Sequence, residues 1–152
     1  MDELRVDGAV ENDAAQFIVI QVGDEQYGIN IAYVDNIVRM QAITRVPKSA
    51  SYIKGVINLR GIVVPVMSLR LKMGLEADEY TKATRIIILK LEHIGTVGVI
   101  VDEVKEVITL DSEAIEKVST DTSTDKVNFV QSVGKSNGSL VSILDLNAVA
   151  SE

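Results

Sequence analysis

The chain has 152 residues, no cysteine, a single histidine (His93) and a formal net charge of −7 at pH 7. This length suggests one domain or two very small ones, and the missing thiols exclude disulfides, thiol catalysis and cysteine metal sites. An acidic chain without a basic stripe, without a long apolar run and without a signal peptide predicts a cytoplasmic protein with no nucleic-acid partner and no membrane insertion.

Valine and isoleucine far outnumber leucine, which favours β structure. The polar residues 1–15, which show no hydrophobic period, are predicted to form a flexible leader. Strands are then expected over 17–22, 27–31 and 34–40. A hairpin follows, with strands over 55–59 and 62–66 around Arg60 and Gly61. Pro65 cannot donate a ladder hydrogen bond, so its strand should lie at an edge or carry a bulge.

The second half predicts similar elements. A short helix should begin after Ser68 as N-cap and end before Gly74. A polar linker (76–84) and a second hairpin (85–91 and 97–101) follow. Residues 119–125 are predicted to form a polar loop, and Asn137-Gly138 is a strong hairpin signal. Asp145 is positioned to cap a last helix that starts at Leu146.

The chain matches itself at two offsets. Residues 28–38 align with 98–108 at an offset of 70, and residues 52–56 align with 129–133 at an offset of 77. Approximate copies therefore span 17–74 and 85–150, each long enough for a small SH3-like barrel of about five strands. Two unrelated generic hairpin pairs are the alternative explanation.

The sequence contains no residues that match the known catalytic patterns considered. His93 stands alone beside a turn, and Asp102 and Glu103, in a strand-like stretch, would point to opposite faces. The polar loop contains no base that could activate a nucleophile, and no glycine-rich phosphate loop is present. We therefore predict no enzyme, no catalytic or metal-binding residues and no cofactor.

The two predicted hairpin tips differ in one informative residue. The second copy has Asn137 before its turn glycine, whereas the first has Arg60 before Gly61. Turn geometry does not require an arginine, so its planar guanidinium could serve a partner. A solvated turn arginine is the alternative.

Residues 52–66, Tyr-Ile-Lys-Gly-Val-Ile-Asn-Leu-Arg-Gly-Ile-Val-Val-Pro-Val, resemble the signature of the CheW family of bacterial chemotaxis coupling proteins. The segments 17–28, 98–107 and 140–146 match the same family pattern in the same order. The resemblance implies an all-β fold of two intertwined five-stranded SH3-like barrels with short helices, one of them near the C-terminus. It implies a single CheW-like domain over residues 16–150.

The resemblance also implies a function. Such a protein is a non-catalytic adaptor that couples the cytoplasmic tips of transmembrane chemoreceptors to the regulatory domain of the histidine kinase CheA. It would lie in the cytoplasm, recruited beneath the inner membrane through receptor arrays. A small-ligand sensor, a detached CheA-type regulatory domain and a homodimer formed through a strand near Pro65 remain alternatives.

Site residues carry over by position. Arg60 would be the coupling arginine, Gly55 a backbone-permissive neighbour, and Asn58 and Gly61 the rest of the Asn-Leu-Arg-Gly block. In the partner-contact block that starts at Val34, Asn36 replaces the family's glutamate, which puts an ion pair there in doubt. Ser68 likewise replaces an aspartate. Four apolar residues could line a receptor groove or belong to the core: Ile31, Val34, Val99 and Val101. Residues 117–125 could contact the kinase or serve only as a connection.

Overall fold

The computed structural model describes residues 14–117 and 129–151. The strands within this part are β1 (Ala15–Val22), β2 (Glu25–Asn30), β3 (Val34–Arg39), β4 (Ile53–Leu59), β5 (Ile62–Ser68), β6 (Arg85–Leu91), β7 (Gly95–Val101), β8 (Glu103–Leu110), β9 (Ile115–Lys117), β10 (Val130–Ser136) and β11 (Ser139–Leu144). Two short helices, α1 (Leu69–Lys72) and α2 (Leu146–Ala150), follow β5 and β11. The predicted all-β class with a short helix near the C-terminus is confirmed. β1 begins inside the predicted leader, and the predicted polar loop lies outside the described residues.

The strands form two sheets that both halves of the chain build together. One sheet has the order β8-β1-β2-β11-β10-β9, and the other has the order β3-β6-β7-β5-β4. The first hairpin, β1–β2, thus joins strands of the second half, while β6–β7 joins strands of the first half. The strands β1, β2, β3, β4 and β5 are equivalent to β6, β7, β8, β10 and β11, respectively. Exchanging each strand for its equivalent converts one strand order into the other, and β9 is the described strand left without an equivalent. The intertwined arrangement is confirmed.

Irregularities in the ladders recur at equivalent places. A β-bulge inserts Asp35 where β3 pairs with β6, and another inserts Lys105 where β8 pairs with β1. Two further bulges insert Lys54 in β4 and Gln131 in β10. The separations are 70 and 77 positions, the offsets at which the sequence matches itself. Because bulges bend and twist a strand, both sheets curve at corresponding points.

In each sheet, the segment that follows the first strand in the order given above, β3 or β8, reaches the opposite end of the sheet and closes it. After β3, Thr44 forms an isolated antiparallel bridge with Val56 of β4, with both N–H···O hydrogen bonds at 2.8–2.9 Å. After β8, β9 pairs with β10, placing Glu116 opposite Val133. These connections cover edges that would otherwise offer unpaired backbone groups.

The core has three parts because the strands bury both faces. On β1, Ile18 and Ile20 join a large cluster whose members come from both sheets, whereas Phe17 and Val19 join a smaller cluster within the six-stranded sheet. A third cluster lies within the five-stranded sheet. Its members are Ile57, Val64, Val66, Ile86, Ile88 and Ile100. The large cluster therefore holds the two sheets together.

Pro65 is accommodated differently from the prediction. β5 lies inside its sheet, between β4 and β7, so the edge position is wrong. The nearby bulge lies on β4 at Lys54 rather than at Pro65 itself. The parallel pairing of β5 with β7 begins only at Val66, so Pro65 stands just outside it and its missing N–H interrupts nothing there.

The helix caps agree with the sequence. Ser68 Oγ accepts a hydrogen bond from the Leu71 N–H at 3.1 Å, and Asp145 Oδ1 accepts one from the Ala148 N–H at 3.2 Å. The two caps are 77 positions apart, so they occupy equivalent places. Neither helix, nor any other in the described segments, has the length and apolarity needed to cross a membrane.

Candidate functional site

The β4–β5 hairpin ends in a tight turn whose two central residues are left-handed. Arg60 has φ +53° and Gly61 has φ +84°, while Asn137 and Gly138 have φ +52° and +81° in the equivalent turn. Positive φ at both central positions defines the type I′ turn that matches strand twist. Asn58 Oδ1 accepts a hydrogen bond from the Gly61 N–H at 3.0 Å and so braces the turn. The predicted site residues of this block therefore shape the tip that presents Arg60.

Arg60 extends into solvent beside other exposed groups. Its side chain is 71% exposed, and its Nη2 lies 4.0 Å from Asp35 Oδ2. Lys90 Nζ lies 3.6 Å from Asp35 Oδ1. Ile62 and Val63, directly after the turn, are 61% and 64% exposed. We define the hairpin surface as Asp35, Asn58, Arg60, Ile62, Val63 and Lys90.

The hairpin surface combines charge with apolar area. Its ion pairs are exposed and long, so each adds little to stability. Large apolar side chains exposed next to an arginine are instead typical of protein-interface anchors. The arrangement is suited to binding a protein.

Gly55 has a structural reason to be glycine. Its φ is +144°, and a Cβ atom at this position would lie 2.1 Å from the Thr44 carbonyl oxygen. That oxygen accepts the Val56 N–H hydrogen bond of the bridge that closes the sheet. Gly55 therefore acts on the hairpin surface indirectly, by letting the β3–β4 connection approach β4.

The block that starts at Val34 divides its side chains between the two faces of β3. Asp35, at the bulge, is turned outward into the hairpin surface. Asn36 is turned inward, and its Oδ1 is buried without a hydrogen-bond partner in the described structure. The carboxylate on the exposed face thus comes from Asp35 and not from the position where the family has glutamate.

The four residues that were predicted to line a receptor groove differ in how deeply they are buried. Val99 and Val101, on the central strand β7, are 1% and 0% exposed within the large cluster. No surface contact can reach them, so for these two the core alternative applies. Val34 is partly buried against the same cluster, whereas Ile31, on the 3₁₀ turn Ile31–Tyr33, is 37% exposed.

Sequence reasoning missed a charged clamp between the sheets. Asp102 lies in the link between β7 and β8, where Arg70 Nε and Nη2 donate to it at 2.9 Å each. Asp102 Oδ2 also accepts the Gly23 N–H of the β1–β2 turn at 2.9 Å. Burial acts to raise the pKa of Asp102, but the hydrogen bonds from Arg70 and Gly23 outweigh it and the net pKa is lowered. The only sequence signal was an arginine after the Ser68 cap.

Comparisons with known proteins agree on one family. Residues 16–152 match the CheW-like domain. The chain is 40% identical to the chemotaxis protein CheW of Bacillus subtilis, covering 88% of this chain and 85% of that protein. It is 37% identical to the CheW of Helicobacter pylori, over 90% of this chain and 82% of the relative.

A solved structure shows the same fold. The crystal structure of the scaffolding protein TtCheW from Thermoanaerobacter tengcongensis superposes with a TM-score of 0.79 at 33% identity, covering 86% of this chain and 88% of that one. The family match spans both sheets as well as the hairpin surface. The chain therefore belongs to the CheW family of chemotaxis scaffold proteins.

Proposed function

We propose that this protein is a non-catalytic adaptor that couples transmembrane chemoreceptors to the histidine kinase CheA in chemotaxis arrays. Its partners would be the cytoplasmic receptor tip and the regulatory domain of the kinase. Membership of the CheW family supports this proposal, and the hairpin surface supplies a plausible contact. The observation that carries it is the backbone conformation of Arg60.

Arg60 occupies a conformation that its side chain does not favour. Left-handed φ costs a residue other than glycine, asparagine or aspartate about 1–2 kcal/mol. The equivalent turn avoids that cost with Asn137. Because the guanidinium forms only one long, exposed ion pair within residues 14–117 and 129–151, with Asp35, contacts in that part of the chain do not explain the arginine. Strain of this kind is typical of functional positions, and here it supports a partner contact.

The proposed contact has an apolar part and a charged part. Either Ile62 or Val63, which as neighbours in β5 face opposite sides, would pack against apolar residues of a helical partner, and Arg60 would fix its register. If binding buries the guanidinium, its removal should cost about 2–4 kcal/mol of binding energy. Because Val99 and Val101 are buried, they are left out of this contact.

The same proposal assigns the rest of the chain. Residues 16–150 would act as a single domain made of the copies 17–74 and 85–150. The protein would be held in the cytoplasm beneath the inner membrane through its receptor partner. Since the residues named act by binding, no catalytic residue and no cofactor is assigned.

A reconstituted kinase assay tests the coupling. Membranes bearing the cognate receptor are mixed with CheA, with and without this protein, and CheA autophosphorylation is measured. We expect strong activation by the wild type and its loss with Arg60→Glu. Lys135→Glu, on the other sheet, is the matched charge reversal and should activate normally.

Two outcomes would contradict the proposal. If the wild type does not activate the kinase, the adaptor role is excluded. If Arg60→Glu and Lys135→Glu activate equally, the role of Arg60 is excluded. A detached CheA-type regulatory domain would instead bind its partners without raising kinase activity.

A further inference from the structure

Apart from the hairpin surface, the connection between β3 and β4 forms an open depression whose walls are mostly exposed residues. Its cavity has a volume of about 610 Å³ and shares no lining residue with the hairpin surface. The lining residues that the argument uses are Arg45, Lys48, Ser51, Lys54 and Tyr80. A volume of this size is typical of sites for small molecules.

The cavity is positively charged within an acidic protein. Arg45, Lys48 and Lys54 line it, and no carboxylate does. Within residues 14–117 and 129–151, none of these three cations forms an ion pair. Asp78, whose charge is near that of Lys54, lies outside the lining. The site therefore gathers positive charge in a chain whose net charge is −7.

The backbone at Lys48 is strained. Lys48 has φ +65° directly after Pro47, in a turn where the Ser49 hydroxyl donates to the Val46 carbonyl oxygen at 2.8 Å. A turn with proline followed by a left-handed residue normally takes glycine or asparagine at the second place. Lysine there carries a backbone cost that no described ion pair offsets.

We propose that this cavity binds a small, soluble, multivalent anion that carries phosphate groups. Arg45 would present its planar fork to phosphate oxygens, while Lys48 and Lys54 would act as point charges. Ser51 and Tyr80 add hydroxyl donors at the wall. Burial raises the pKa of Tyr80, with the charge of Asp78 acting in the same direction, so its phenol keeps a proton to donate. This site does not depend on the proposed adaptor function.

Calorimetric titration of the full chain with inorganic pyrophosphate tests the site, at constant ionic strength maintained with sodium chloride. We expect saturable one-to-one binding to the wild type and an affinity about fivefold lower for Lys48→Gly. Since glycine suits the backbone at position 48, this variant should fold at least as stably as the wild type, which thermal unfolding checks. Lys48→Arg should retain binding, and the distant Lys135→Gln should bind like the wild type.

Several results would overturn the proposal. Heat no larger than that of the chloride control would exclude the site, and unchanged affinity in Lys48→Gly would exclude this cavity. An equal loss in Lys135→Gln would reduce the effect to overall charge. Citrate binding as tightly as pyrophosphate would overturn the assignment to phosphate.

Discussion

Arg60 and Asn137 occupy the same position in two turns of nearly identical backbone, with φ +53° and +52°. Asparagine accepts a left-handed conformation more easily than arginine, because its short polar side chain interacts with its own backbone. The turn at Arg60 is thus less stable than it could be. We interpret this lower stability of the turn as the consequence of presenting a guanidinium at its tip.

The exchange Arg60→Asn should therefore stabilise the fold while weakening partner binding. We expect the free energy of unfolding to rise by about 1 kcal/mol, measured by urea denaturation. The reverse exchange in the equivalent turn, Asn137→Arg, should lower it by a similar amount. If Arg60→Asn were destabilising, the guanidinium would have an intramolecular role that the structure does not contain.

Asp78, in the connection from α1 to β6, is a carboxyl group in an unfavourable, buried place. Both of its carboxylate oxygens are buried without a well-formed hydrogen bond from the described residues, although the Ser68 hydroxyl lies close enough to favour their ionised form. Burial, together with the charge of Asp102, raises the pKa above the usual 3.8, although the Ser68 hydroxyl and the charges of Arg70 and Lys54 oppose the rise. A raised carboxyl pKa in the folded state means that ionisation favours unfolding. Stability should fall as the pH rises through this pKa.

Asp78→Asn should remove that penalty. We expect a gain in the free energy of unfolding at neutral pH that shrinks on acidification and disappears below about pH 4, where the wild-type carboxyl is protonated in both states. Urea denaturation at several pH values measures it. Glu79→Gln, on the exposed neighbour, is the control and should give no such gain. A loss of stability at neutral pH in Asp78→Asn would show that the ionised carboxylate is needed.

At the scale of elements, the Asp102 clamp joins parts that local structure does not connect. It links α1, the β7–β8 connection and the β1–β2 turn through Arg70 and Gly23. Asp102→Asn should lower the free energy of unfolding by about 2 kcal/mol, because charged hydrogen bonds are lost in a half-buried place.

The lowered pKa of Asp102 gives this prediction a pH signature. The wild type should hold the stabilisation above the unfolded pKa of about 3.8 and lose it as the pH falls further, through the lowered folded pKa. Arg70→Lys keeps the charge but not the paired donors, so it should be intermediate. Equal stability of the wild type and Asp102→Asn at neutral pH would contradict the clamp.

Closure of the five-stranded sheet depends on contact between two backbones. Gly55→Ala should break the Thr44–Val56 bridge and cost more than about 2 kcal/mol, since the added Cβ meets a carbonyl oxygen. Gly61→Ala, whose Cβ would meet nothing within 4 Å, should cost only about 1 kcal/mol from its positive φ. Thermal unfolding of both variants compares the two effects. Similar losses would mean that the bridge contributes little.

On the scale of the whole molecule, the sequence predicted much of the architecture because repeated local patterns determine it. Turn glycines, the caps Ser68 and Asp145, and apolar runs over 17–22 and 85–91 each predict an element from adjacent residues. Exchange of hairpins between the halves was expected only through the family resemblance. Periodicity describes which face of a strand is apolar, not which sheet the strand enters.

Features that depend on distant contacts were not predictable. The local sequence indicates only that Asp102 belongs to a strand. Its partner Arg70 is 32 positions away, so no local pattern connects the two residues. Val99 and Val101 were groove candidates because a strand buried on both faces shows no alternation that would mark either face as surface. The bulge at Asp35 leaves no local signature either, although strand alternation does predict that Asp35 and Asn36 face opposite sides. The hairpin tip could be predicted, because Arg60 in the first copy and Asn137 in the second differ visibly in the sequence.

Binding of the two proposed partners tests the central claim most directly. The full chain is titrated by calorimetry into the CheA regulatory domain and, separately, into a receptor-tip fragment, using the wild type, Arg60→Asn and Asn137→Arg. We predict about micromolar or tighter binding of the wild type to both, loss of one interaction in Arg60→Asn, and retention of both in Asn137→Arg. No binding to either partner, or equal effects of the two exchanges, would contradict the account.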